Sequence, residues 1–294
     1  MIKKVVFFNF YHNGDLHVCR NLVKEISRLC VEKGIICEYY FEAPAGLMDD
    51  IENVSFTSEK YDLAYNKPSY VRDNILFFNT WYAGNPAVYM EYKCSFDTLF
   101  RSFSENCKLL EIDLSKLDIM ELFPSINYNK FYICKAEKWL EEHTRKRVFI
   151  SNGEPISAQS VNYPMCHIIN GLSGIHPNID FLVSNEEEGV LLRNNVFMTR
   201  DIIQKQGADL NENSYLASAC SIIAGRYSGA YTFAMTKDNY FDNPKTFVAI
   251  VYSHMNPIWT YQFTPAPKAK IVSCNNFDDN AIFGAINTEI LEIM

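Results

Sequence analysis

Apolar positions along the chain fall into short continuous runs that alternate with helically spaced sets. Residues 3–10, Lys-Lys-Val-Val-Phe-Phe-Asn-Phe, form an apolar run bounded by polar residues. That pattern predicts a buried parallel strand. The loop Tyr11-His12-Asn13-Gly14-Asp15 follows at once. From Leu16 to Lys33, Val18, Cys19, Leu22, Val23, Ile26, Leu29 and Cys30 recur at helical spacing, and Gly34 stands where a helix stop is expected. Ile35 to Phe41 reads as a second strand, completing a β-α-β unit of the kind that builds parallel sheets.

The stretch from 43 to 93 is irregular, with one strand read near 75–79. Phe96, Leu99, Phe100 and Phe103 predict a helix over Cys94–Cys107, and Leu109 to Ile112 reads as a further short strand. Residues 129–144 read as a helix linking the halves. The second half repeats the opening logic: strand Arg147–Ser151, loop Asn152-Gly153-Glu154-Pro155, a helix from about Ser160 to Leu172, and strand Asp180–Ser184. A third unit follows, with a helix near Asn211–Ala219, the strand Ser221–Ala224 and the loop Gly225-Arg226-Tyr227-Ser228-Gly229. Strands near 246–252 and 270–273 and a helix from about 279 complete the chain. Such alternation predicts an α/β protein of two Rossmann-like, doubly wound domains. The length of 294 residues suits two domains, divided as 1–128 and 129–294.

Composition narrows the class. Hydrophobic residues at 48% against 21% charged mark a packed globular protein, and the net charge of -8 argues against broad nucleic-acid binding. The basic cluster Lys135, Lys138, Arg145, Lys146 and Arg147 reads as a solvated helix end, with contact to a membrane surface or acidic polymer as the alternative. Nine cysteines show neither CxxC spacing nor pairing with His at metal-site intervals, which is the usage of a reducing compartment. With no signal-like N-terminus and no run of roughly 18 apolar residues, a cytoplasmic location without a membrane span is expected.

Ligands of parallel sheets sit beyond the carboxyl ends of the strands, where glycine admits close backbone approach and helix starts favour anions. Three loops meet that description. In the first, Asp15 reads either as a cap of the helix start or as a general base, with His12 and His17 close in sequence. His167 reads as a core histidine. The second, Asn152-Gly153-Glu154, is followed by Ser157, Gln159 and Ser160, donors near a helix start. In the third, Arg226 supplies a permanent charge suited to phosphate and Ser228 a hydroxyl, or else Ser228 caps a helix and Arg226 is salt-bridged. No Walker loop, GxGxxG, HExxH, GxSxG or Asp-x-Asp motif is present, so NTPase, dehydrogenase, protease, hydrolase and metal-dependent transferase readings have no support.

Taken together the loops resemble glycosyltransferases of the GT-B fold, in their heptosyltransferase-like branch. The first strand of that branch ends in a Gly-Asp pair opening a helix, as in Tyr11-His12-Asn13-Gly14-Asp15-Leu16-His17; a later strand runs into a Ser-Gly turn and helix, as in Ile222 to Phe233. The resemblance implies two domains facing across a cleft, an acceptor site with Asn13, Gly14 and His17 in the first, and Asp15 as base. It implies a nucleotide-sugar site in the second, formed by Asn152, Gly153, Ser157, Gln159, Gly225, Arg226, Ser228 and Gly229, with Arg226, Ser228 and Gly229 facing the diphosphate. Transfer to a glycan or glycolipid acceptor would then need neither metal nor cofactor, the nucleotide-sugar being a substrate, with peripheral membrane contact through that acceptor. Two departures stand out. The first domain is small, and Arg226-Tyr227 replaces the acidic residue usual before the Ser-Gly turn, so ADP-heptose does not carry over as the donor. A nucleotide-sugar epimerase or hydrolase, and an inactive binding protein, remain the rival readings.

Overall fold

The computed structural model describes residues 2–9, 13–41, 46–57, 59–81, 95–155, 160–227, 229–252, 267–275 and 277–294. They fall into two compact units, one drawn from Met1–Ser125 and the other from Ile126–Ile258 and Pro267–Met294. Each is built on its own sheet.

The first unit contains β1 (Lys4–Asn9), α1 (Asn13–Val18), α2 (Arg20–Glu32), β2 (Ile36–Phe41), β3 (Ser55–Phe56), β4 (Ser69–Arg72), β5 (Ile75–Asn79) and α3 (Ser95–Cys107). Strand order is β3-β2-β1-β5-β4, with β4 antiparallel to β5 and the other pairs parallel. Val5 to Phe8 are wholly buried, as a continuous apolar run requires of a central strand covered on both faces. On one face Phe7 packs against Tyr39 and Phe78, and Phe78 against Phe103 of α3 at 4.5 Å. The other is covered by the irregular aromatic stretch: Tyr65 and Tyr70 stand edge-on to Phe8, and Tyr70 stacks on Phe77 at 4.8 Å. Between 59 and 72 there is no helical period because Tyr61, Tyr65 and Tyr70 cover the sheet from chain that forms no helix. Asp73 and Asn74, with φ of 51° and 60°, form the two-residue turn joining β4 to β5.

Two expectations are corrected here. The single helix over Leu16–Lys33 is instead α1 and α2, broken at Cys19 (φ -96°, ψ 5°), whose thiol donates to Asp15 O at 3.1 Å. Leu109 to Ile112 is no strand: Lys108–Leu110 is a 3-10 turn and Glu111 takes φ 56°, which ends any extended run. The stop at Gly34 is a left-handed cap (φ +72°), with Gly34 N donating to Val31 O and Ile35 N to Cys30 O, each at 2.9 Å.

The second unit contains α4 (Cys134–Glu142), β6 (Lys146–Ser151), α5 (Cys166–Ile175), β7 (Ile179–Val183), β8 (Val196–Met198), α6 (Thr199–Ile203), α7 (Leu210–Ser218), β9 (Ile222–Arg226), α8 (Gly229–Phe233), β10 (Thr246–Ile250), β11 (Lys270–Cys274) and α9 (Asp279–Ile293). All six strands are parallel in the order β11-β10-β9-β6-β7-β8. Ile168, Ile169 and Leu172 of α5 and Ile282, Ile286 and Ile290 of α9 cover one face of this sheet. Two boundaries and two additional elements differ from the sequence reading. α5 begins at Cys166 rather than Ser160, because Pro164 disfavours helical backbone at the residue before it. β8 and α6, too short to show a period, were not expected. β9 runs on through Gly225 and Arg226, which therefore belong to a strand rather than to a loop.

The basic cluster lies at the surface, as a solvated helix end does, with Lys135, Lys138, Arg145 and Lys146 exposed and Arg147 half-buried, and each makes contacts within the unit. Arg147 donates to Leu140 O and His143 O at the end of α4, and Arg145 pairs with Asp180 at 3.5 Å. Lys135 donates to Gln204, Lys146 to Ile293 O, and Lys138 lies 3.9 Å from Glu142. Among the described residues no helix is long and apolar enough to cross a membrane.

Candidate functional site

In each sheet the first strand of the unit has a neighbour on either side, and the chain turns in opposite directions from it. In the first unit this reversal lies between β1 and β5, and in the second between β6 and β9. Crevices beyond the carboxyl ends of such pairs are where open α/β sheets bind ligands. Asn13–Asp15 follows β1, Asn152–Glu154 follows β6, and Gly229 follows β9, so the three loops singled out in the sequence stand at these two points. His12, Ser157, Gln159 and Ser228 lie outside the described residues.

Beyond β1 and β5 the strand ends are tied together by side chains. Thr80 Oγ1 donates to Phe8 O at 3.1 Å, which uses its one proton. Its lone pairs therefore accept Asn9 Nδ2 at 3.1 Å and the Tyr39 hydroxyl at 2.7 Å. Tyr39 in turn lies 3.9 Å from Cys19 Sγ, so the ends of β1, β2 and β5 and the start of α2 share one buried network. Asp15, in the first turn of α1, is half-buried beside it. Loss of water around the carboxyl pushes its pKa up to about 7, and no cation among the described residues offsets this. Among the described residues the carboxylate caps no amide there either. Burial, with Asp15 adding to it, pushes the Cys19 thiol up to about 12. Asn13 Oδ1 is buried without a hydrogen-bond partner among the described residues, and His17, four residues on in the same helix, is wholly buried.

Beyond β6 and β9 the geometry is tighter. Ser151 and Gly225 are register partners, and Gly225 has φ +135°; a Cβ there would stand 2.2 Å from Ser151 O. Only glycine fits this approach. Arg226, the last residue of β9, is buried, and its terminal nitrogens donate to Asn152 O and Tyr163 O. Its guanidinium lies over the Tyr163 ring at 5.8 Å. The Arg226 Nε and Ser151 Oγ remain buried without partners, two potential donors in the same strand-end region. Burial draws the Arg226 pKa below its ordinary value, against the nearby Glu187.

The Asn152 side chain is fully committed: Oδ1 accepts from Asn185 N and Ser184 Oγ, and Nδ2 donates to Asn185 O and Glu187. Gly153 passes Asn185 so closely that a Cβ would meet its Oδ1 at 2.8 Å. Glu187 also accepts from the amides of Met165 and Cys166, so a carboxylate of the protein already occupies the start of α5. Glu187, Tyr163, Tyr39 and Thr80 were not singled out from sequence. Glu187 sits in the run Glu186-Glu187-Glu188, where nothing marks which carboxylate turns inward.

No protein-family model matches the chain, and no curated protein matches its sequence. Solved structures do. A glycosyl transferase family 9 protein from Veillonella parvula is similar over 97% of this chain and 89% of its own, at 11% identity and a TM-score of 0.50. The E. coli heptosyltransferase WaaC with ADP-2-deoxy-2-fluoro heptose is similar over 99% of this chain and 100% of its own, at 12% identity and a TM-score of 0.50. The WaaC structure with ADP gives the same TM-score of 0.50 at 12% identity, over 98% of this chain and 97% of its own. With two largely parallel sheets, each reversing direction beside its first strand, the chain has the heptosyltransferase-like GT-B fold.

Proposed function

We propose that the protein is a glycosyltransferase that moves a sugar from a nucleoside-diphosphate sugar to a hydroxyl of a glycan or glycolipid acceptor. The observation that carries this reading is Asp15, a carboxyl held near pH 7 by desolvation, without a counter-charge among the described residues, where the first sheet reverses. The fold supports it, and WaaC with its ADP-sugar analogue is a relative in fold that binds such a donor.

In the proposed reaction the Asp15 carboxylate takes the proton of the acceptor hydroxyl. That oxygen attacks the anomeric carbon while the bond from this carbon to the diphosphate breaks, which inverts the centre. Asn13 Oδ1, buried without a partner among the described residues, accepts a hydrogen bond from the acceptor, Gly14 lets it approach, and His17, being wholly buried, takes no direct part. On the donor side Arg226 contributes its charge and its uncommitted Nε to the departing diphosphate. The backbone around Gly225 and Gly229, with Ser228, Ser157 and Gln159, completes the donor contacts, and Asn152 and Gly153 shape the floor. Because the terminal nitrogens of Arg226 are engaged by carbonyls, its role is that of a fixed buried charge rather than a mobile clamp.

A base must be ionised to act. With the Asp15 pKa at about 7, kcat/KM for transfer is expected to fall about tenfold for each pH unit below 7 and to level off above it. A profile flat down to about pH 5 would exclude Asp15 as the base, since the carboxyl is then protonated.

A further inference from the structure

Asp15 stands on a helix too short to aim itself. α1 has six residues, and the break at Cys19 separates it from α2, so neither its own length nor the longer helix fixes where it points. The tie comes from the side of the break that faces the sheet. Cys19 is wholly buried, and its amide, at 3.2 Å, and its thiol, at 3.1 Å, both donate to Asp15 O. Behind the sulfur, at 3.9 Å, lies the hydroxyl of Tyr39, which is also wholly buried.

Tyr39 is held at both ends. Its ring packs against Phe7, Phe41 and Phe56, with centroids 5.8, 5.2 and 6.2 Å away. Its hydroxyl proton goes to Thr80 Oγ1 at 2.7 Å, because the Thr80 proton is already given to Phe8 O. The hydroxyl therefore cannot shift without the ring, nor the ring without displacing residues of β1, β2 and β3. The charge of Asp15 reaches both Cys19 and Tyr39, whose pKa values lie far enough up that neither is ionised at neutral pH. Within residues 13–21 the other titratable side chains are His17, wholly buried, and Arg20, paired with Asp50 at 2.6 Å.

We infer that Tyr39 is a positioning residue, a rigid strut from the sheet that acts through Cys19 to hold α1 with the Asp15 carboxyl in its buried seat beyond β1. Tyr39 itself touches no substrate. Its part in transfer rests on Asp15 acting as the base, whereas the hold on Asp15 is measurable without any substrate.

Tyr39→Phe removes the hydroxyl and keeps the ring with its three aromatic neighbours. The stability gained by Asp15→Asn is measured by urea denaturation at about pH 5 and about pH 8, in the wild type and in Tyr39→Phe. Without the strut the carboxyl reaches water, so the growth of that gain between the two pH values is expected to fall to about half or less of its wild-type size. A Tyr39 that served only the packing would lower stability equally at both pH values and leave this growth unchanged. In the transfer assay Tyr39→Phe is expected to lower kcat about tenfold at unchanged KM, and to move the midpoint of the pH profile below its wild-type position. An undiminished pH-dependent gain in Tyr39→Phe, or no such gain in the wild type, would overturn the role of Tyr39 whatever the activity. So would an unchanged kcat and profile beside an active wild type. Absence of transfer in the wild type would instead refute glycosyl transfer, and the stability measurement alone would then decide whether Tyr39 holds Asp15.

Discussion

Asp15→Asn is expected to stabilise the protein, and to do so more strongly as the pH rises. In the native state burial holds the Asp15 proton to about pH 7, against 3.8 for a solvated carboxyl. Between those values the native state binds the proton and the unfolded chain does not. The stability that Asp15 supplies in acid is therefore lost as pH climbs from about 4 to about 7. Above 7 the buried charge costs about 4 kcal/mol relative to a neutral side chain, from roughly three pH units at about 1.4 kcal/mol each. Asn is neutral throughout and suits a helix start as well as Asp does. Urea denaturation should show the variant's advantage growing by about 2.5 kcal/mol between about pH 5 and about pH 8. A pH-independent difference would mean that Asp15 is solvated and ionised like any surface carboxylate. A group that weakens the fold at neutral pH is the kind retained for chemistry.

Gly225→Ala is expected to be the most damaging small substitution in the second unit. Its Cβ would lie 2.2 Å from Ser151 O, and both atoms belong to the backbone of adjacent central strands, so neither has a rotamer to escape into. With a φ of +135° as well, the change should cost about 3 to 5 kcal/mol, combining backbone strain with overpacking. Gly34→Ala separates these contributions. Gly34 is also left-handed, at φ +72°, but nothing lies within 4 Å of the added methyl. It should cost only about 1 kcal/mol. Equal losses at the two positions, measured by denaturant titration, would show that β9 can move away from β6 freely.

Much of this architecture could be read from the sequence. β1, β6, β7 and β10 are largely apolar runs because they are covered on both faces. The helix break at Cys19 could not be read. Its thiol turns back to Asp15 O in a pocket that also holds Tyr39, twenty residues on, and cysteine carries no signature of a break. Arg226 shows how the site departs from the motif. A Gly-Arg pair after an apolar run reads as a loop, yet β9 pairs with β6 through Gly225 and with β10 through both residues. The charge that the sequence suggested for solvent and phosphate is thereby drawn beneath the strand ends, onto two carbonyls. The sequence also marked Asn152 as a ligand contact, whereas its amide is committed to 184–187, an association visible only once β6 and β7 are neighbours.

Glycosyl transfer with Asp15 as base is tested most directly by supplying the purified protein with a panel of nucleoside-diphosphate sugars, with and without glycan or glycolipid acceptors, and measuring nucleoside diphosphate released. The expected result is release that depends on acceptor and is about 10²- to 10⁴-fold slower in Asp15→Asn, with donor affinity by calorimetry unchanged. Release without acceptor at the full rate, or transfer by Asp15→Asn at the wild-type rate, would contradict it.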